Sequence, residues 1–184
     1  MKNSEDILWV TRVLLWNDER AFRRLMEKYL PQVRRYFLVQ TMGNQATSDD
    51  LTQETFIKAW QGIGGFRGLS SFGTWLYRIA FNTFMNHTRS AACQTTPIDD
   101  EHTAYEIADE SPPPLWPYEA LQKAIYRLNE KERHCITLFY LEEMSIKEIQ
   151  KITGYPAGSI KAYLSRGRNN LEKILKNNER ERER

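Results

Sequence analysis

Apolar residues recur at three- and four-residue spacing along most of the chain, and no stretch alternates long enough to predict a strand. The pattern therefore predicts an all-α fold. Ile7, Val10, Leu14 and Leu15 mark a first helix. Asn17 offers the start of a second, with Phe22, Leu25, Met26 and Tyr29 on its apolar face. Pro31 is expected to interrupt it, after which Val33, Phe37 and Leu38 resume an apolar face. Residues 43–48 read as a loop. Ser48 is placed to cap a helix over 49–61, with Asp49 and Asp50 in the first turn, where the helix dipole favours negative charge. A glycine-rich loop follows at Gly62, Gly64, Gly65 and Gly68, but no strand pattern precedes it, so it is not a dinucleotide fingerprint. A further helix is predicted over 72–89.

The second half opens with a helix near 118–128. Asn129, with Glu132 three residues on, resembles a capping box, and Ile136, Phe139 and Tyr140 supply the next apolar face. Ser145 and Glu148 form a cleaner box, starting a helix that stops at Gly154. Pro156 suits the first turn of the next helix, which carries Ile160, Leu164, Leu171, Ile174 and Leu175 inward. Two short helices joined by a glycine-containing turn, the second of them basic, make a helix-turn-helix. Lys161, Arg166 and Arg168 lie on the side away from Ile160 and Leu164, where phosphate contact would reward them.

Charge divides the chain. The formal net charge of its 184 residues is +2, yet residues 90–122 hold seven acids and no Lys or Arg, between two blocks of net positive charge. The same stretch contains Pro97, Pro112, Pro113, Pro114 and Pro117, so 90–117 reads as an extended acidic linker between a domain over 1–89 and another over 118–176. A charged tail at 177–184 is expected to fray. At 41% hydrophobic and 27% charged residues the chain is a globular candidate. Its longest apolar runs are four residues, far short of the roughly 20 that span a membrane. The MKNSED start has no export-signal pattern, and two cysteines 42 positions apart fit a reducing, cytoplasmic compartment.

Catalytic patterns are absent. Cys93, His87, His102 and His134 are the notable nucleophile or base candidates, and the pair His134-Cys135 falls in an apolar helix, where packing is the expected role. A different chemistry is present in the first domain. Arg78, Asn82 and Asn86 form an i, i+4, i+8 row on one helix face, with Arg89 close to its extension. Eight aromatics lie within residues 56–84. Phe56, Trp60 and Trp75 are expected in the core, and a few of the others exposed beside the polar row, where they could stack unpaired bases.

Four stretches together resemble the extracytoplasmic-function (ECF) class of the sigma-70 family. Residues 49–60, DDLTQETFIKAW, resemble the helix that docks on core RNA polymerase. Residues 66–68, FRG, with 71–82, SFGTWLYRIAFN, resemble the promoter-melting and minus-ten segment. LNEKER at 128–133 resembles the start of the second conserved domain. SIKEI at 145–149, GSIK at 158–161 and LSRGR at 164–168 resemble its minus-thirty-five helix-turn-helix. The match covers roughly 5–89 and 118–176, in order and with the linker between.

The resemblance implies a non-enzymatic promoter-specificity subunit with no cofactor, metal or small-molecule substrate. Its partners would be core RNA polymerase, promoter DNA and an anti-sigma factor. It assigns polymerase docking to Asp50, Gln53, Glu54 and Lys58, and minus-ten contact to Arg78, Asn82 and Asn86, where a base is extruded into a protein pocket. It assigns minus-thirty-five contact to Ser159, Lys161, Ala162, Ser165, Arg166 and Arg168. In the family an acidic linker like 90–117 acts as a nucleic-acid mimic in the polymerase channel. Three positions depart from the usual pattern: Ala162 and Tyr163 stand where Ser and Arg are common, and Gly167 where Ala is frequent. Two other readings stay open on the sequence: a helix-turn-helix regulator that acts without polymerase, and a sigma-like protein that binds an anti-sigma partner but no longer initiates.

Overall fold

The structure, a computed structural model, describes residues 4–94 and 119–182. Among them every regular element is helical: α1 (Ser4–Trp16), α2 (Glu19–Gln40), α3 (Gln45–Gly62), a 3₁₀ turn (Ile63–Gly65), α4 (Phe72–Gln94), α5 (Glu119–Tyr126), α6 (Glu130–Ile136), a π-helical turn (Thr137–Leu141), α7 (Ile146–Thr153) and α8 (Ala157–Arg182). No described helix is long and apolar enough to cross a membrane. The described residues divide into two compact units, 4–37 with 46–94 and 38–45 with 119–182. Most of the expected linker, residues 95–118, lies outside the described residues, as does His102.

In the first unit, α2 contributes Leu25, Val33, Tyr36 and Phe37 to the core, α3 Leu51, Phe56 and Ala59, and α4 Phe72, Leu76, Tyr77 and Phe84. Aromatic pairs join the helices: Phe22 with Trp60 at 4.9 Å, Tyr29 with Phe72 at 5.5 Å, Tyr36 with Tyr77 at 5.6 Å between ring centroids. Helix α1 turns Val10 and Val13 inward together with Asp6, whose carboxylate accepts from the Tyr29 hydroxyl at 2.6 Å and from the Lys28 ammonium at 2.5 Å. Ile7, Leu14 and Leu15, expected to mark its packed face, are instead exposed.

The helices correct the expectation at five places. Asp18, not Asn17, starts α2: its Oδ1 accepts from the backbone N–H of Ala21 and Arg20, and the Ala21 bond first, then the Arg12 guanidinium, holds its carboxyl below the usual carboxylate range. Asn17, at φ +50°, closes α1 by donating its N–H to the Val13 carbonyl. Pro31 does not interrupt α2. A proline inside a helix costs about 3 kcal/mol, and burial of Leu25 on one side and Val33, Tyr36 and Phe37 on the other outweighs it. Helix α3 begins at Gln45, so Ser48 is a buried residue inside it, and its carbonyl accepts from the Thr52 hydroxyl at 2.6 Å. Asp49 is therefore beyond the first turn, where Arg34 engages it through Nε at 2.5 Å and Nη2 at 3.3 Å. Helix α4 runs to Gln94, five residues past its predicted end, and α8 runs to Arg182, through most of the Glu/Arg tail expected to fray, both residues being good helix formers.

In the second unit Asn129 caps α6 by accepting from the Glu132 N–H at 2.9 Å. The return half of the expected box is missing, because buried Glu132 instead accepts from Asn170 Nδ2 of α8 at 3.0 Å. Buried Arg133 donates to the Leu128 carbonyl at 2.9 Å. After Ile136 the helix widens into the π turn, so Leu138 is buried while Phe139 is only half-buried and Tyr140 exposed, against the expected face. The Ser145–Glu148 box is complete, and Gly154 ends α7 at φ +74°, a left-handed position that glycine occupies without strain. Pro156 sits one residue before α8, its carbonyl accepting from Ile160 N–H. Ile160 and Leu164 are buried; Leu171, Ile174 and Leu175 are half-buried.

Gly167 has a packing reason. A Cβ there would lie 2.8 Å from Ile136 Cγ1 and 3.1 Å from its Cδ1, so the residue lets α8 approach α6 closely.

Candidate macromolecular interfaces

Three surfaces hold the residues singled out from sequence. On α3, Asp50, Gln53 and Glu54 are exposed and Lys58 is half-buried. Lys58 is already engaged: its ammonium pairs with Glu54 Oε1 at 2.6 Å and reaches Thr83 Oγ1 of α4 at 3.3 Å. Beside this face an apolar groove of about 540 Å³ opens between α2 and α3, lined by Phe22, Met26, Leu30, Gln53, Ile57 and Trp60. Leu30 and Ile57, which both line the groove, are 39% and 48% exposed. Sequence reading missed this pair, although Ile57 lies one turn from Gln53 and so shares its face.

On α4, Arg78, Asn82 and Asn86 are all exposed, in a row stepping about 6 Å per pair. In the same unit, a cleft of about 390 Å³ lies between α1 and residues 66–72. Val10, Leu14, Phe66 and Phe72 give it apolar walls, and Asp6 and Ser71 give it hydrogen-bonding groups. Asp6 there is held by Lys28 and Tyr29, and burial first, then the Asp6 carboxylate, pushes the Tyr29 phenol well above its ordinary range. None of the eight aromatics of residues 56–84 is exposed, contrary to expectation. They consume one another: Trp75 packs on Phe66 at 5.4 Å and on Phe72 at 5.6 Å. Only Trp60, Phe66 and Trp75 keep partial exposure.

The third surface is the helix-turn-helix α7–α8. On α8, Lys161, Ala162, Ser165, Arg166 and Arg168 are exposed and Ser159 half-buried. Ile160, Leu164 and Gly167 form the opposite, packed side. At 100° per residue, these six fan over roughly half the helix. Ala162 and Ser165 sit at the centre, Ser159 and Arg166 on one flank, Lys161 and Arg168 on the other. The Arg166 guanidinium lies 5.1 Å over the Tyr163 ring, and Arg168 Nη1 donates to the Tyr140 hydroxyl at 3.3 Å. A face of small residues between cations fits a DNA groove sterically and electrostatically. The His134-Cys135 pair is fully buried beneath it, as expected of packing residues. Burial, and then neighbouring Arg133, lowers the His134 pKa to about 3, and burial pushes the Cys135 thiol up to about 12.

Comparison with known proteins matches the first part of this architecture, residues 25–93, to sigma-70 region 2 and residues 118–171 to sigma-70 region 4. The RNA polymerase sigma-H factor of Pseudomonas aeruginosa is 32% identical over 86% of this chain and 88% of its own length. The ECF sigma factor SigW of Bacillus subtilis is 31% identical over 86% of this chain and 91% of its own. The chain spans 60% of the ECF sigma factor BldN of Streptomyces coelicolor, at 32% identity. Among solved structures, the sigma factor RpoE of Bartonella quintana, in complex with the anti-sigma factor NepR, superposes with a TM-score of 0.69 at 25% identity, over 84% of this chain and 96% of that one. Fold, order of the two units and identity along most of the chain agree: this protein belongs to the ECF class of the sigma-70 family, the promoter-specificity subunits of bacterial RNA polymerase.

Proposed function

We propose that this chain binds core RNA polymerase in the cytoplasm and directs it to a specialised set of promoters, without catalytic chemistry of its own. In this reading residues 1–89 dock and melt, 118–176 read the minus-thirty-five element, and the acidic 90–117 segment connects them.

The observation that carries the reading is the outward set on α8, where Lys161, Arg166 and Arg168 are exposed around Ala162 and Ser165. A stable hairpin has no need of a one-sided cationic face, whereas phosphate contact does. On α3, Gln53 borders the apolar groove, and Asp50 and Glu54 extend the same exposed face; together they form the polymerase contact, with Lys58 holding Glu54 in place. On α4, Arg78, Asn82 and Asn86 follow the minus-ten strand, and the cleft walled by Phe66 and Phe72 receives an extruded base. Extrusion costs a few kcal/mol, which burial between apolar walls offsets. An anti-sigma factor, such as the one complexed with the Bartonella quintana relative, would regulate access to these faces.

The test is transcription by purified core polymerase, with and without the protein, on a randomised promoter library. Transcripts sharing a start site and two upstream elements support the reading. Gln53→Ala with Glu54→Ala should weaken core binding while leaving the helical content intact. Core binding without stimulated transcription would favour a sigma-like inhibitor, and DNA binding without core binding a free-standing regulator.

A further inference from the structure

The exposed arginines of α8 are not equivalent to free surface cations. An arginine at an exposed helix position samples many rotamers, and ordering its fork on a base costs conformational entropy. Here the Arg166 guanidinium is stacked 5.1 Å from the centroid of Tyr163, three residues earlier on the same helix. Tyr163 is in turn met edge-on by Tyr155 from the turn before α8, with ring centroids 5.7 Å apart and planes at 63°. Tyr155 itself is anchored. It follows Gly154, the left-handed end of α7, and its N–H donates to the Thr153 hydroxyl at 3.1 Å, which itself donates to the Ile149 carbonyl at 2.8 Å. A hydrogen-bonded turn, two rings meeting edge to face and one guanidinium thus form a continuous chain of contacts along one flank of the proposed DNA face.

Position 163 lies about 60° round the helix from position 166, at the border between the packed and exposed sides, and its ring is half-buried. It is therefore badly placed to reach a base edge itself and well placed to hold a neighbour that can.

We propose that Tyr163 is a positioning residue. Backed by Tyr155, it fixes the Arg166 guanidinium at the flank of the α8 face, so that Arg166 reads a base pair there, a guanine edge being the chemistry that suits a bidentate fork. The inference rests on the reading of α8 as the minus-thirty-five helix. It predicts that the ring matters through Arg166 and at one base pair, and that the phenolic hydroxyl is dispensable.

The experiment uses the full chain with core polymerase on a library in which each minus-thirty-five base pair is varied in turn. Arg166→Ala should abolish preference at one or two adjacent base pairs. Tyr163→Leu should weaken preference at those same base pairs about three- to fivefold and leave the others unchanged. Tyr163→Phe, which keeps the ring, should stay within twofold of the parent. In the Arg166→Ala background Tyr163→Leu should have no further effect. Tyr163→Met, flexible and of similar bulk, replaces the leucine variant if that one fails to fold. A uniform loss at every base pair, or an equal loss with and without Arg166, overturns the proposal and makes Tyr163 a packing residue or a direct contact. If Arg166→Ala alters preference but Tyr163→Leu does not, the proposal alone fails. If Arg166→Ala alters no minus-thirty-five preference, the underlying reading of α8 fails, and the proposal with it.

Discussion

Replacing Gly167 by alanine sets two effects of known size against each other. Within a helix alanine is favoured over glycine by about 1 kcal/mol. Yet the added Cβ would sit 2.8 Å from Ile136 Cγ1 and 3.1 Å from Cδ1, closer than carbon atoms pack, and Ile136 is 2% exposed. The atom that must give way is next to the isoleucine Cβ, not at the far end of a flexible chain, so α6 and α8 must separate or Ile136 must leave its rotamer. Overpacking of this kind costs about 1–3 kcal/mol, enough to cancel or exceed the propensity gain. The expected result for Gly167→Ala is a net destabilisation of about 1 kcal/mol. Ile136→Ala removes both clashing atoms. In that background the same Gly167→Ala change should become stabilising, because the new methyl partly fills the space and the propensity gain is unopposed. A chain of two units need not unfold in one step, so the measurement is hydrogen exchange of α6 and α8 amides in the full chain, read as a double-mutant cycle. A Gly167→Ala variant more stable than the parent, or an equal effect in both backgrounds, would refute the close-approach account.

Two other expectations concern buried titratable groups. His134 is neutral in the folded state, its pKa lowered to about 3 by burial and then by Arg133. Once released in the unfolded chain it takes up a proton near pH 6.5, so the unfolded state binds more protons between about pH 6.5 and 3 and stability falls as pH drops through that window. The second unit should lose about 1.4 kcal/mol per pH unit below about pH 6 on this account, and His134→Gln should flatten that part of the slope, read by amide exchange at pH 7 and pH 5. In the first unit, Asp6→Asn replaces a carboxylate that accepts from both Lys28 and Tyr29. Because the Lys28 side chain is about a quarter exposed and can turn to water, the expected loss is about 1–3 kcal/mol, seen as a lower urea midpoint by tryptophan fluorescence; an unchanged midpoint would remove the network from the account.

What the sequence made legible was mostly local. Ser145, Glu148 and Gly154 define α7 because a capping box and a left-handed stop act within one turn of the residues that encode them. The failures are where distant packing overrules a local preference. Pro31 is a helix breaker by itself, yet α2 is buried on both sides of it. Ser48 is a good cap, yet it is buried inside α3, where Asp49 has a partner in Arg34 of another helix. The candidate faces followed the same division. Arg78, Asn82 and Asn86 could be placed on one exposed row by spacing alone. The Leu30–Ile57 groove, the α1 cleft and the Tyr155–Tyr163–Arg166 stack each join residues that periodicity treats separately. Gly167 stood out in the sequence only as a departure from the family's usual Ala, because Ile136, the reason for it, is 31 positions away.

The ion pair on α3 has a thermodynamic consequence for any partner that docks there. Glu54 is not a vacant anion: a cation approaching it exchanges with Lys58, so one salt bridge is traded for another and little net charge is neutralised. The favourable work of association then falls to the neighbouring Leu30 and Ile57, which leave water when the groove is covered. Titration calorimetry of such a complex would therefore show a heat of binding that grows more exothermic with temperature, by about 0.45 cal/mol/K for each Å² of apolar surface covered, alongside an affinity that changes little with salt.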